Sequence, residues 1–512
     1  MAPQVELSGT GLTADDVVAV ARDGVPVVLG DAAREAMEAS AAVVARLVDS
    51  AEPVYGVSTG FGSLANVAIP AQRREELQRA LVRSHAAGLG PAVEREVVRA
   101  MMLLRARTLA MGRSGPRPVV AETMLALLNA GITPVVREHG SLGASGDLAP
   151  LAHCALALLG EGTVVDAEGV EGPAAEALAA AGIAPLTLIA KEGLALINGT
   201  DGMLGMLVMA MDDLARLLKV ADITTAMSVE GLMGTDRAFA ADLVALRPQP
   251  GQAESAANLR ALLAGSPIVA SHRFGDDRVQ DAYSLRCAPQ VAGAARDTLA
   301  HARRVAEAEL HSAIDNPMVL PDGRVESCGN FHGAPVGYAC DFLAIASADV
   351  GAIAERRTDR LLDPARSHGL PPFLTPDAGV NSGLMIAQYT QAAMVAENRR
   401  LAVPASADSL PSSAMQEDHV SMGWSAARKL RASVANLGRI LAIELVCAAH
   451  ALDLRAPLAP AAGTAAALRA LRELVAGPGP DRWLSPDLVA AEQLVFDGTL
   501  VAAVEAEVGP LR

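Results

Sequence analysis

Residues 203–235 read MLGMLVMAMDDLARLLKVADITTAMSVEGLMGT. Met203 to Met211 is the densest apolar stretch of the chain, and Asp212-Asp213 closes it. Apolar residues then recur at helical spacing, which predicts one helix severalfold longer than the ordinary mean of about 11–12 residues. Four more stretches of this kind follow, at 288–314, 332–362, 381–402 and 419–455. Their faces are rich in Ala and Gly, which lets long helices pack closely in a large bundle. No heptad is sustained, so a simple coiled coil is excluded. An α/β sheet would need strands alternating with helices, and that alternation is absent.

The expected fold is therefore mainly α, a large bundle of long helices with a smaller N-terminal helical domain and minor short strands. The divisions read from the chain are 1–200, 201–460 and a C-terminal helical segment 461–512, with Gly477–Asp481 as a late hinge. Shorter helices are predicted at Pro70–Ala87, stopped by Gly88-Leu89-Gly90-Pro91, and at Arg117–Asn129, with Pro118 in its first turn and Gly131 past its end. Leu77, Leu81 and His85, each four apart, share one stripe of the first. Thr163–Asp166 carries a short strand signal.

Composition narrows the function. Among 512 residues, 51% are hydrophobic but only 3% aromatic, so Ala, Leu and Val carry the core. A net charge of −16 argues against nucleic acid or an anionic membrane as partner, since phosphate binding needs clustered Lys and Arg. Residues 1–16 lack a basic-then-apolar leader pattern, and no run of about 18 uninterrupted apolar residues occurs. Five widely spaced cysteines without a CxxC indicate neither a disulfide scaffold nor a zinc knuckle. A cytoplasmic enzyme is the expectation.

Several motifs read better as ordinary structure. Gly9–Ala14 and Gly60–Ala65 fit the dinucleotide fingerprint loosely, without a βαβ unit around them, and Thr13 with Asp16 reads as a helix cap. Gly56-Val-Ser-Thr-Gly60 matches a serine-hydrolase elbow but lacks its strand and helix. Glu307 and His311, and the cluster Glu417-Asp418-His419, have no second histidine at zinc spacing, so no bound metal is expected.

The informative segment is Gly140-Ser-Leu-Gly-Ala-Ser-Gly-Asp-Leu-Ala-Pro-Leu-Ala-His153. Read plainly, it is a glycine turn with Asp147 capping a helix from about Leu148. Ala144-Ser145-Gly146 also allows a second chemistry. If the Gly146 nitrogen attacks the Ala144 carbonyl, the backbone closes to a five-membered ring. Loss of that water and of the Ser145 hydroxyl leaves 4-methylidene-imidazol-5-one, a strong electrophile needing no added organic cofactor.

With these residues the chain resembles the aromatic amino acid lyase family. The resemblance rests on Tyr55–Gly62, Ser84–Gly88, Ala144–Gly146, Asn198–Gly202, Gln280–Arg286, Gly329–Gly333 and Gln416–Met422, in family order over nearly the whole chain. It implies a helical homotetramer with active sites built from several subunits. It implies Tyr55 as the base for the β-proton, with Tyr283 and Glu417 beside it in the catalytic set, and Arg286 holding the substrate carboxylate through its planar fork. Asn198 would be a second carboxylate or ring contact, Gln280 a supporting polar group and Phe331 an apolar wall. His85 and Glu417 fit an imidazole, so the expected substrate is L-histidine, eliminated to trans-urocanate and ammonia as the first step of histidine breakdown. The rivals are a 2,3-aminomutase, a tyrosine or phenylalanine lyase, and a helical scaffold that has lost the chemistry. One departure is Met415, where many relatives carry Asn.

Overall fold

The computed structural model describes residues 4–48, 56, 59–60, 62–64, 66–276 and 278–512. The protein is mainly helical, with twenty α-helices and nine strands of two to four residues among the described residues. The long helices are Asp201–Gly231, Ala288–Leu310, Ala334–Leu362, Met385–Leu401 and Gly423–Leu454, each within a few residues of its expected span. Ala334–Leu362 and Gly423–Leu454 have the length and hydropathy of membrane spans, yet 56% and 83% of those windows are buried within the protein.

The chain forms two compact units that do not follow chain order. One comprises Met1–Met209, Arg303–Asp341 and Pro404–Arg428; the other comprises Ala210–Ala302, Phe342–Val403 and Lys429–Arg512. The three consecutive segments read from the sequence differ from this because several unit boundaries fall inside long helices, where no linker marks them.

In the first unit, helix Arg95–Ala110 is the central element, with every residue from Val97 to Ala110 buried. Its buried arginines end on main-chain carbonyls: Arg105 donates to Ile314 and Asn198, both at 2.8 Å, and Arg99 to Val20 and Leu128. The capping box at Thr13–Asp16 forms as expected. The N-terminal region does hold a small βαβ unit, contrary to the sequence reading. Strands Val5–Leu7 and Val27–Leu29 pair in parallel around helix Ala14–Ala21. Gly9 is nonetheless occupied by protein, since a Cβ there would lie 3.0 Å from the Ala110 carbonyl. Residues 57 and 58 of the elbow motif lie outside the described residues.

The second unit buries charge among its helices. Arg357 and Glu444 pair with almost no exposure, and Thr224 and Ser228 each donate to Glu444 at 2.8 Å. Gly251 and Gly293 let the helices Pro250–Leu262 and Ala288–Leu310 touch through backbone, the close approach expected of small-residue faces.

Candidate active site

The loop Gly140–Asp147 is sealed from several sides, all within the first unit. Gly143 and Gly146 adopt positive φ, 66° and 73°, a region that suits glycine. A Cβ on Gly143 would collide with Ser421 Oγ, and one on Gly146 with the Gly199 carbonyl. Gly146 bridges Gly199 in parallel, and the Asp147 amide donates to the Gly199 carbonyl at 2.7 Å. Ser421 Oγ donates to the Gly143 carbonyl at 2.9 Å, and the Met422 amide to Leu142 at the same distance.

Asp147 stands at the start of helix Leu148–Leu158 but does not cap it. Its carboxylate turns inward instead, accepting from Ser141 Oγ and the Met203 amide, each at 2.9 Å. Burial pushes its carboxyl up to about 7, against these hydrogen bonds.

Beside this loop lies a cavity of about 500 Å³ lined by Ser145, His85, Asn198, Asn316, Glu417 and an apolar set that includes Leu77, Leu81 and Ile197. The stripe Leu77–Leu81–His85 thus faces the site, on helix Arg74–His85. Ser145 Oγ donates to Glu417 Oε1 at 3.4 Å, across 272 positions of sequence. The other carboxylate oxygen, Oε2, accepts from Ser412 Oγ at 2.8 Å, and the two residues form a backbone bridge.

The polar groups on this wall have defined hydrogen-bonding senses. His85 Nδ1 lies 3.0 Å from the Leu81 carbonyl, which can only accept, so Nδ1 carries the proton. Burial holds the ring below its ordinary pKa, although the Leu81 carbonyl and Glu417 act to raise it. The neutral ring therefore keeps Nε2 as an acceptor. Glu417 is also an acceptor.

Of the remaining sequence-predicted residues, Phe331, Gln280, Tyr283 and Arg286 do not line this cavity. Tyr55 lies outside the described residues. Phe331 is half-buried in a turn of the first unit and does not line the cavity. Gln280, Tyr283 and Arg286 belong to the second unit, and Gln280 is exposed. Tyr283 is 71% exposed, with the Arg286 guanidinium 4.5 Å above its ring. Among the described residues, no group of three or more metal-ligating side chains exists, and His311 bonds the Glu307 main chain rather than its carboxylate. Sequence reasoning missed Ser141, Ser412 and Asn316. Ser141 stood inside the quoted loop, but nothing local pointed to the other two.

The mainly helical chain thus sets Ser145, between Ala144 and Gly146, against the Glu417 carboxylate. Residues 12–473 match the aromatic amino acid lyase family. The histidine ammonia-lyase of Streptomyces avermitilis is 64% identical over 99% of both chains, and that of Symbiobacterium thermophilum 53% identical over 99% of both. Among solved structures, a tyrosine aminomutase from Streptomyces globisporus superposes with a TM-score of 0.94 at 38% identity, covering 100% of both chains. Histidine ammonia-lyase from Trypanosoma cruzi gives 0.91 at 39% identity, covering 99% of this chain and 96% of the other. The chain belongs to the aromatic amino acid lyase family, and it is a carbon–nitrogen lyase.

Proposed function

We propose that the protein eliminates ammonia from L-histidine to give trans-urocanate, the first step of histidine breakdown. The observation that carries this reading is the cavity wall itself. Ser145 and Glu417 meet there at 3.4 Å, and His85 adds an acceptor beside them. Acceptors suit a substrate whose ring and amine both carry N–H groups, and a phenyl ring would leave them unmatched. The 64% identity to a histidine ammonia-lyase supports the same substrate.

Ala144, Ser145 and Gly146 fit the 4-methylidene-imidazol-5-one group. Gly146 has the positive φ that the turn requires, and the Gly199 backbone approaches it where a side chain would stand. That group supplies an electrophile that makes the substrate amine easier to expel. Glu417 holds the amine or the ring, and His85 Nε2 accepts a ring N–H. Tyr55 takes the β-proton.

Among the described residues no Lys or Arg lines the cavity, so these residues offer the substrate carboxylate no cationic partner. Arg286, with Gln280 and Tyr283, fills that place from a neighbouring copy in a homotetramer with shared active sites. Exposure of Tyr283 supports this arrangement. No disulfide joins the five cysteines, which suits the reducing cytoplasm.

The test is direct. L-Histidine as sole substrate should yield urocanate and ammonia in equal amounts. The intact protein should be about two waters, roughly 36 Da, lighter than the translated chain, and Ser145→Ala should restore the missing mass and abolish most activity. Release of a β-amino acid, or consumption of phenylalanine or tyrosine instead, would overturn the substrate reading.

A further inference from the structure

Asn198 is 2% exposed and stands on the cavity wall. Its Nδ2 donates twice, to Asp315 Oδ1 at 3.1 Å and to the Asn316 carbonyl at 2.9 Å. A carboxylate and a carbonyl can only accept, so the amide can face only one way and both its N–H groups are used. The Asn198 Oδ1 atom is buried and has no partner. A buried oxygen without a donor is costly, and such atoms call for a ligand or a role.

The clamp is itself held. Lys191 Nζ donates to Asp315 Oδ2 at 2.8 Å, and neither side chain is exposed. The Asn316 amide adds a donor to Asp315 Oδ1 at 2.7 Å. Arg105 fixes the main chain from the other side through the Asn198 carbonyl. With both of its oxygens occupied, the Asp315 carboxylate cannot turn away, and the amide it holds cannot flip.

We propose that Lys191 and Asp315 are positioning residues that lock the Asn198 amide so that its Oδ1 accepts a hydrogen bond from a substrate N–H. This rests on the proposed function. It also replaces the carboxylate contact expected for Asn198, because an oxygen acceptor repels a carboxylate. Together with His85 Nε2 and Glu417, it makes every assigned polar contact of this wall an acceptor for N–H.

The full-length enzyme tests it with the paired substitution Lys191→Met with Asp315→Leu, which leaves no lone buried charge. Loss of the clamp should lower kcat/KM for L-histidine about tenfold to a hundredfold, mainly through KM. The mass deficit of roughly 36 Da should persist, so the electrophile is not what was lost. Asn198→Leu should cost a similar factor, and combining it with the pair should cost no more, as coupled positions require. Lys191→Arg, which keeps the charge, should restore near-wild-type KM. Should the pair not fold, Asp315→Asn enters the same cycle. Inhibition by 3-(imidazol-4-yl)propanoate, which has the ring but no amine, separates the donors: weakened inhibition in the pair variant assigns the ring N–H, and unchanged inhibition assigns the amine.

Additive losses, or wild-type kinetics in the pair variant, would overturn the clamp. A wild-type enzyme that carries the mass deficit but turns over another aromatic amino acid sinks the substrate reading instead, and the same cycle is then read on that amino acid.

Discussion

The two sides of the cavity are built on opposite terms. On one side, Gly140–Asp147 is mostly buried beyond its exposed first residue, uses glycine wherever φ is positive, and is gripped by Gly199, Met203 and Ser421. On the other, Ser412–Glu417 and the end of helix Arg74–His85 are open. Ser413, Ala414 and Met415 adopt φ of 50°, 51° and 70° without being glycine, and Met415 is 67% exposed. The sealed side is committed to one geometry, as the proposed closure of its backbone would require. The open side holds the groups proposed to meet the substrate ring, where strain and exposure can be tolerated. Changes to the first should destroy the chemistry, and changes to the second should alter its selectivity or merely its stability.

Gly146→Ala strikes the sealed side hardest. A methyl there meets the Gly199 carbonyl and an unfavourable φ together. The mass deficit should disappear, and urocanate formation should fall on the order of a thousandfold or more, about 4 kcal/mol of barrier. Retained mass loss with normal turnover would break the contrast at its strongest point.

On the open side, His85→Phe should leave the mass deficit intact. It removes one partner for the imidazole, costing about tenfold to a hundredfold in kcat/KM for histidine. Phenylalanine turnover should suffer less, so the ratio of the two kcat/KM values is the measurement. An unchanged ratio would mean that His85 is only a wall.

Asp147 gives the sealed side a pH signature. Its folded value of about 7 lies above the unfolded carboxylate value of about 3.9. Between these values the folded state holds a proton that the unfolded chain has released. Stability from this group is therefore present below about pH 4 and lost as pH rises through about 7. Urea unfolding of wild type and Asp147→Asn across that range should show the wild type losing stability relative to the variant. Parallel curves would mean that Asp147 is not protonated on folding.

The smallest effect belongs to Met415→Asn. Asparagine tolerates the left-handed region better than methionine, so the variant should be more stable by about 1 kcal/mol, read from denaturant midpoints, with turnover little changed. A loss of stability would show that Met415 relieves no strain when replaced.

The long helices were legible because their signal is local and repeated over many turns, as in Met203–Met211 and its continuation. The Ala144–Gly146 tripeptide could be singled out because the chemistry proposed for it is contained in three neighbours. The inward turn of Asp147 was not, since Ser141 and Met203 compete with the helix end for the same oxygens and only the folded chain shows which wins. The Asp315–Asn198 clamp was also hidden, because its partners lie 117 positions apart. The small N-terminal βαβ escaped notice because its strands are three residues long, below the length at which a period of two can be seen.

The sealed loop also has a place in the order of synthesis. Its last contacts come from Ser421 and Met422, which are synthesised more than half a chain length after the loop itself. A nascent chain that has reached only the middle of the protein already contains Ala144, Ser145, Gly146 and Gly199, but not the hydroxyl on Gly143 nor the amide on Leu142. The presence of the tripeptide in a fragment is therefore no sign of a matured catalyst, because the grip on that loop is completed by one of the later stretches to be translated.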